Sequence, residues 1–269
     1  MISIGITTFN RCDIVGRAVR SALAFAAAAR GTVILVDDGS TDATTTMIKR
    51  DFRSALDDGL LTYLRHESNL GVTAAKNTAF DKSPVGWVLF LDSDDELITE
   101  SAAAVADTLA RHDNEALIFF RCTDQTRAPV GTAFDEPQRL SLSRYSAHTS
   151  YGESLVAINK AVTPSSPFDA DLRGYEGIGC ARIIERFGPA LLTTIIARRY
   201  DRSRDDRLST LVGTLKRSSL LARGHLRYLG LFGKKMSMST ILSFRIKVLV
   251  YFSAGLVASL LWSWNGKSR

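Results

Sequence analysis

Cysteine is scarce in this chain. Three residues in 269, Cys12, Cys122 and Cys180, are odd in number and far apart. That excludes a disulfide framework and a zinc pattern, and it fits a reducing cytosol. Histidine is sparse too: His66, His112, His148 and His225 are dispersed, and no pair has metal-ligand spacing. There is no internal repeat and no low-complexity tract. The chain opens on an apolar run at Ile2 with no basic stretch leading into a long apolar one, so no secretory leader is expected and the amino terminus is expected to stay where it was made. The most informative absence is of one sign of charge. After Asp206 there is no acid, yet eleven Lys and Arg follow, so the overall +6 conceals a body of 23 bases against 28 acids.

Apolar content of 45% excludes wholesale disorder. The chain is long enough for one α/β domain plus an appendage. The division in charge places the domain at 1–206 and the appendage at 207–269. Within the appendage, Val248–Trp264 carries no formal charge over seventeen residues, short of the roughly 20 that span a bilayer comfortably but at the lower limit of about 17, so lying in the interface and crossing the bilayer are both open. Arg217–Lys235 interleaves Leu, Tyr228 and Phe232 with Arg223, Arg227, Lys234 and Lys235, which suits an interfacial helix, and Trp262 and Trp264 stand where an aromatic belt belongs. The expected partner of this basic, apolar tail is an anionic membrane surface rather than nucleic acid. The competing reading docks it as a soluble helix on the core or on another subunit.

In the first half, short apolar runs alternate with helix-like segments. Strands are expected at Ile2–Thr7, Thr32–Val36, Leu60–His66, Gly86–Leu91 and Ala116–Arg121, with helices at 13–29, 43–56, 73–81 and 100–112. That alternation predicts an α/β fold with a mostly parallel central sheet and helices on both faces. Asp13 is placed as the cap of the first helix and Gly31 as its stop. Residues 122–150 read as a long polar excursion, expected to carry part of an acceptor site. A helix is expected at Gly152–Lys160 and another at Tyr175–Phe187, before a strand at Leu191–Tyr200.

Two of the apolar runs end in acids. Val33-Ile34-Leu35-Val36 runs into Asp37-Asp38-Gly39-Ser40-Thr41-Asp42, and Trp87 to Leu91 runs into Asp92-Ser93-Asp94-Asp95. Carboxylates crowded at strand ends repel one another unless a cation lies among them, and hard oxygen ligands suit Mg²⁺ or Mn²⁺ bridging diphosphate oxygens. Asp and Ser are also ordinary turn formers. In open α/β sheets ligands bind outside the carboxyl ends of the strands, so both clusters are expected to line one pocket.

These residues resemble the family 2 glycosyltransferases, whose catalytic domain has the nucleotide-sugar-binding GT-A fold. Four blocks carry the likeness in order: Ile4 to Arg11, Val36 to Asp42, Asn69 to Asn77, and Leu91 to Asp95. The resemblance implies a metal-dependent, inverting transferase that takes a nucleotide-sugar donor. It implies Asp94 as metal ligand, and Asp92 on the donor's ribose or sugar and at the metal. Asp38 is the candidate for the base, since a uracil N3–H suits an ionised acceptor and points to a UDP-sugar. Thr7, Thr8 and Phe9 would border the base, with Phe9 either a stacking face or core. Lys76 stands where the family usually has Arg and is expected near the diphosphate.

For the catalytic base the choice is Glu176, with Asp169 and Asp171 as alternatives. Relatives often have Glu-Asp there, and Gly177 takes the Asp position, which keeps open a nucleotide-sugar-binding module without turnover. Arg198-Arg199-Tyr200 with Arg202, Arg204 and Arg207 suit a lid over diphosphate. A sugar nucleotidyltransferase would open with a Gly-rich, basic phosphate loop where Thr7-Thr8-Phe9-Asn10 stands. The expected function is therefore sugar transfer to a saccharide or lipid-linked acceptor in cell-surface polysaccharide synthesis, at the cytoplasmic face of the inner membrane.

Overall fold

The run Ile2–Thr8 is buried along its whole length and forms β1, the axis of the sheet. β2 (Thr32–Asp37) and β4 (Trp87–Asp92) flank it in parallel, and β3 (Leu61–Arg65) extends the sheet beyond β2. The register sets Thr8 opposite Asp37 and Thr7 opposite Asp92, so the strand tips that carry the acids lie side by side. The computed structural model describes residues 1–147, 152–201, 214–215 and 217–265, with side chains of the last helix described as far as Gly255. The boundary expected at 206/207 lies outside these residues, as do His148, Arg202, Arg204 and Arg207.

Beyond β4 the sheet becomes mixed. β8 (Ser154–Asn159) lies antiparallel between β4 and β6 (Leu117–Thr123), and β9 (Ala190–Arg199) runs parallel to β6. The short strands β5 (Glu96–Leu97) and β7 (Gln138–Leu140) pair antiparallel with β9. Alternation along each strand feeds two cores. Trp87, Leu89 and Leu91 of β4 join Phe25, Ile4 and Leu109 on one face, beneath α1 (Val15–Ala29) and α5 (Ala102–Arg111). Val88 and Phe90 point to the other face, toward Phe119, Ile178 and Ile184, where α7 (Gly177–Phe187) packs. The α/β class with helices on both faces is as expected.

Several local expectations are corrected. The segment expected as a helix at Gly152–Lys160 holds β8 (Ser154–Asn159) instead: Leu155 and Ala157 enter one core while Ile158 enters the other, the pattern of a strand covered on both sides. The segment 43–56 is two helices, α2 (Thr44–Asp51) and α3 (Arg53–Asp57), broken at buried Phe52, whose φ of −120° and ψ of 22° leave the helical region. Asp13 does not cap α1. The cap is Ile14, and the helix ends at Arg30 in the left-handed conformation, ahead of Gly31. The excursion after β6 contains β7 and α6 (Leu142–Ala147), and Val130, Leu140 and Leu142 are buried.

The appendage is tied to the core. α8 (Ser218–Phe232) and α9 (Met238–Asn265) bring Tyr228, Phe232, Met236 and Phe244 into the second core cluster. The Tyr228 hydroxyl lies 2.8 Å from Ser146 Oγ, and Arg227 pairs with Asp171 at 2.7 Å. Gly224 is required here, since a Cβ would sit 2.5 Å from the Tyr175 ring. The outer side of α9 is left to solvent, with Leu242, Ile246, Leu249 and Val250 all more than half exposed. Among the described residues no helix is long and apolar enough to cross a membrane.

This docking predicts that Phe232→Ala, which empties a site only 1% exposed, costs about 3–5 kcal/mol of unfolding free energy. Urea denaturation of the full chain measures it. A loss below about 1 kcal/mol would show that the C-terminal helices do not share the core.

Candidate active site

The loops after β1 and β2 are stapled to each other before any ligand arrives. Asn10 donates its backbone N–H to Ser40 Oγ at 2.9 Å, and its side-chain oxygen accepts from the Thr41 N–H at 2.8 Å. The two acids of the β2 tip then divide their work. Asp37, fully buried, accepts from the Ser40 N–H and the Tyr63 hydroxyl. Asp38 accepts from the backbone N–H groups of Leu70 and Gly71 at 2.9 and 2.7 Å, and its Oδ1 lies 2.7 Å from His66 Nδ1. Gly39, at φ +79°, lets the turn pass Ser68, where a Cβ would approach backbone to 2.7 Å.

A cavity of about 740 Å³ opens at these strand tips. Thr7, Thr8, Phe9, Asp38, Asp92, Asp94 and Glu176 all line it. Phe9 is 40% exposed, so it is not core. Thr8 Oγ1 is buried with no hydrogen-bond partner among the described residues, so a polar atom of the wall is left for a ligand. No residue of the 122–147 excursion lines the cavity. That segment packs Val130, Leu140 and Leu142 into the body of the protein, and residues 148–150, the rest of the excursion expected to carry acceptor contacts, lie outside the described residues.

Protein cations lie among the β4-tip acids. Lys76, on α4 (Val72–Lys82), is buried with its Nζ 3.0 Å from both Asp92 and Glu176. It thus contacts the cavity acids rather than lining the cavity itself. Arg198, 4% exposed on β9, lies 3.2 Å from Asp95, 3.7 Å from Asp92 and 3.6 Å from Glu153. It is a buried strand residue, and this corrects its assignment to a lid. Arg11 reaches Asp94 at 4.0 Å.

The charge states follow from this arrangement. Burial raises the Asp92 pKa, but Lys76 and Arg198 outweigh it and hold the carboxyl below its ordinary value. Burial, and then the Asp92 charge, push Asp94 up. Burial pushes Asp95 up to about 7. The Lys76 ammonium is held charged because its two carboxylate partners overcome the burial that disfavours it.

Glu176 is placed by its neighbours in sequence and in space. Asn77, next to Lys76, binds both backbone groups of Phe168, with 3.0 Å from the Phe168 N–H and 2.8 Å to its carbonyl. That anchors the segment that leads to Glu176 at the start of α7. The other candidates for the base face elsewhere: Asp169 pairs with Arg182 and Arg227, Asp171 with Arg223 and Arg227, and neither lines the cavity. Sequence reasoning missed Glu153, Arg173, Arg217 and Tyr251, all in the cavity wall. It also missed the counter-charge role of Arg198, which is buried beside buried Ala197 on β9 and which no local pattern in the sequence marks.

Two substitutions separate scaffold from function. Asp38→Ala strips two backbone N–H groups of their acceptor and should cost about 2–3 kcal/mol. Asp94→Asn removes a charge the fold holds against burial and against Asp92, so the melting temperature should stay level or rise. Thermal denaturation without ligand reads both, and a clear destabilisation by Asp94→Asn would mark Asp94 as structural.

The sequence and fold both match known proteins. The model of "Glycosyl transferase family 2" matches residues 3–137. The succinoglycan biosynthesis protein ExoU of Rhizobium meliloti is 40% identical over 96 residues, 35% of this chain and 26% of that protein. The GalNAc(5)-diNAcBac-PP-undecaprenol beta-1,3-glucosyltransferase of Campylobacter jejuni is 24% identical over 182 residues, 65% of this chain and 57% of that protein. The chain thus spans about a quarter and somewhat over half of these curated relatives. In fold it resembles S. aureus TarS 1–349 bound to UDP-GlcNAc, with TM-score 0.63, 14% identity, and 94% and 72% of the two chains covered. The mannosyltransferase PcManGT of Pyrobaculum calidifontis, bound to GDP-Man and Mn²⁺, gives the same TM-score and identity over 100% of this chain and 75% of that one. With half of its length matched by the family model and its whole sheet matched by GT-A structures, the chain belongs to glycosyl transferase family 2.

Proposed function

We propose that the protein transfers a sugar from a UDP-sugar to a saccharide acceptor carried on a lipid, with inversion at the anomeric carbon. The observation that carries this reading is that strand-tip acids, the exposed Phe9 ring and Glu176 share one cavity. Asp38 uses both carboxylate oxygens on protein donors, yet a carboxylate accepts about four hydrogen bonds, so one position remains for the N3–H of uracil. The Thr8 hydroxyl and the Phe9 face complete a base pocket. The UDP-GlcNAc bound by TarS supports this donor class.

The site suits a divalent ion of the Mg²⁺ or Mn²⁺ type. Among the described residues no three His, Cys, Asp or Glu side chains gather as a self-sufficient metal cage. Asp94 and Asp92 offer two carboxylates, and a donor diphosphate would complete the shell, as such ions commonly accept. Asp94 and Asp92 would hold the ion, which supplies positive charge for the leaving diphosphate. In transfer, the Glu176 carboxylate takes the proton of the acceptor hydroxyl while that oxygen bonds to the sugar C1. The C1–O bond to diphosphate breaks, and its electron pair leaves with the nucleotide. Lys76, 3.0 Å from its carboxylate, keeps Glu176 oriented toward the cavity.

The C-terminal segment, 207–269, serves to hold the enzyme on an anionic membrane, the cytoplasmic face of the inner membrane by our reading. Its support is the acid-free basic sequence and the exposed apolar side of α9. The name of the Campylobacter jejuni relative, which includes PP-undecaprenol, agrees with a lipid-linked acceptor in polysaccharide synthesis.

Calorimetric titration with UDP and GDP, with and without Mn²⁺, tests the donor and the ion together. UDP should bind, and Mn²⁺ should tighten it by about tenfold or more, a gain lost in Asp94→Asn. Tighter binding of GDP would sink the uridine assignment. Glu176→Gln should lower the transfer rate by about 10²–10⁴; full activity in that variant would remove Glu176 from the mechanism. Flotation with phosphatidylglycerol vesicles tests attachment: binding should fall in Ile246→Glu/Leu249→Glu and at raised salt. Undiminished flotation of the double variant would overturn the membrane role.

A further inference from the structure

The cavity wall contributed by the C-terminal helices differs in chemistry from the strand-tip wall. Thr214, Arg217, Leu220, Leu221 and Tyr251 line it, next to Arg173 and Gly174 from the segment before α7. Arg217 donates to the backbone carbonyls of Arg173 and Gly174 at 3.3 and 3.2 Å, so it is held against the segment that carries Arg173. Arg173 in turn donates to the side-chain and backbone oxygens of Asn69. Among the described residues the partners of both guanidinium groups are neutral oxygens. The cations behind the strand-tip wall, by contrast, have carboxylate partners: Lys76 pairs with Asp92 and Glu176, and Arg198 lies among Asp92, Asp95 and Glu153. The acid whose field reaches Arg217 is Glu176, which Lys76 already holds. Two arginines in the wall of an open cavity, whose guanidinium partners among the described residues are neutral oxygens, form an anion subsite.

What surrounds them is apolar. Leu220, Leu221 and Tyr251 continue the wall, and the chain neighbours of Tyr251, Val250 and Phe252, are 56% and 44% exposed. One helix therefore runs from the cavity wall to the apolar outer stripe.

We infer that Arg173 and Arg217 bind a phosphate or diphosphate group of the acceptor, whose hydrocarbon leaves the cavity along Leu220, Leu221 and Tyr251. The ligand class is an anionic amphiphile of the prenyl diphosphate kind. The inference rests on the acceptor half of the proposed function, and it is distinct from the donor's diphosphate, which belongs with Asp92 and Asp94.

Direct binding tests it without requiring turnover. Farnesyl diphosphate, farnesol and inorganic pyrophosphate are each titrated into the full chain, alone and with saturating UDP and Mn²⁺. Farnesyl diphosphate should bind more tightly than either fragment and should still bind beside UDP. Arg217→Gln should weaken it by about tenfold or more, the loss of a charged hydrogen-bond donor, and Arg217→Lys should restore part of that. Displacement of farnesyl diphosphate by UDP would assign the cations to the donor and overturn the inference. Equal affinity for pyrophosphate would remove the apolar path, and unweakened binding in Arg217→Gln would remove the subsite. An equal weakening of UDP in Arg217→Gln would also overturn it, as a shared donor contact or a damaged fold. If UDP fails to bind the wild-type chain while farnesyl diphosphate binds as described, the donor reading falls and the subsite stands.

Discussion

The mutual repulsion of acids at the tips of parallel strands is the constraint around which this structure is arranged. Parallel pairing of β1, β2 and β4 aligns their carboxyl ends, and the sequence places acids at two of those three ends. Asp92, Asp94 and Asp95 follow one another within a turn, and such crowding is unfavourable in a partly buried site. The protein answers with cations from distant parts of the chain: Lys76 from α4, Arg198 from β9 and Arg11 from the loop after β1. The answer is partial. Asp92 ends with its acidity strengthened, while Asp94 and Asp95 remain shifted toward the protonated form. A strand tip left short of positive charge is a suitable receptor for a further cation, and this is what supports the proposed role of Asp94 as an ion ligand.

The same pairing connects the parts of the site. Lys76 lies at equal distance from Asp92 and Glu176, two acids with separate tasks in the proposed transfer, one at the donor and one at the acceptor hydroxyl. Asn77 beside it fixes the chain that delivers Glu176. One turn of α4 therefore sets the distance between the acid proposed to meet the donor and the acid proposed as base. An Arg at position 76, with a longer and planar head, would not present one ammonium to both carboxylates in this way.

The parts of the fold that could be read from sequence are those whose signal is local. β1, β2 and β4 announce themselves as apolar runs ending in acids, and the register then brings Asp38 and Asp92 to one cavity. β8 was misread because Ser154–Asn159 is apolar on both sides, a pattern a strand covered on two faces shares with a buried helix. The break at Phe52 depends on that ring finding the core, a tertiary demand with no local mark. Arg198 and Arg217 look, in sequence, like members of basic clusters. Only the packing of β9 and α8 shows the first to be buried among acids and the second to face a cavity.

The charge asymmetry that made the tail look like a detachable membrane anchor has a second meaning once the helices are placed. An acid-free segment cannot neutralise its own cations, so those that turn inward must find anions on the core or on a ligand. Arg227 and Lys235 find Asp171 and Glu185 on the core and so dock the helices. Arg217 finds neutral carbonyls at the cavity wall instead. The cations nearer the exposed stripe of α9, such as Arg245 and Lys247, are the ones free to meet an anionic surface. A single compositional bias thus has three different surroundings at three positions, and in the proposed function the helix that separates the cavity from the apolar stripe would make membrane contact and acceptor entry parts of one geometry.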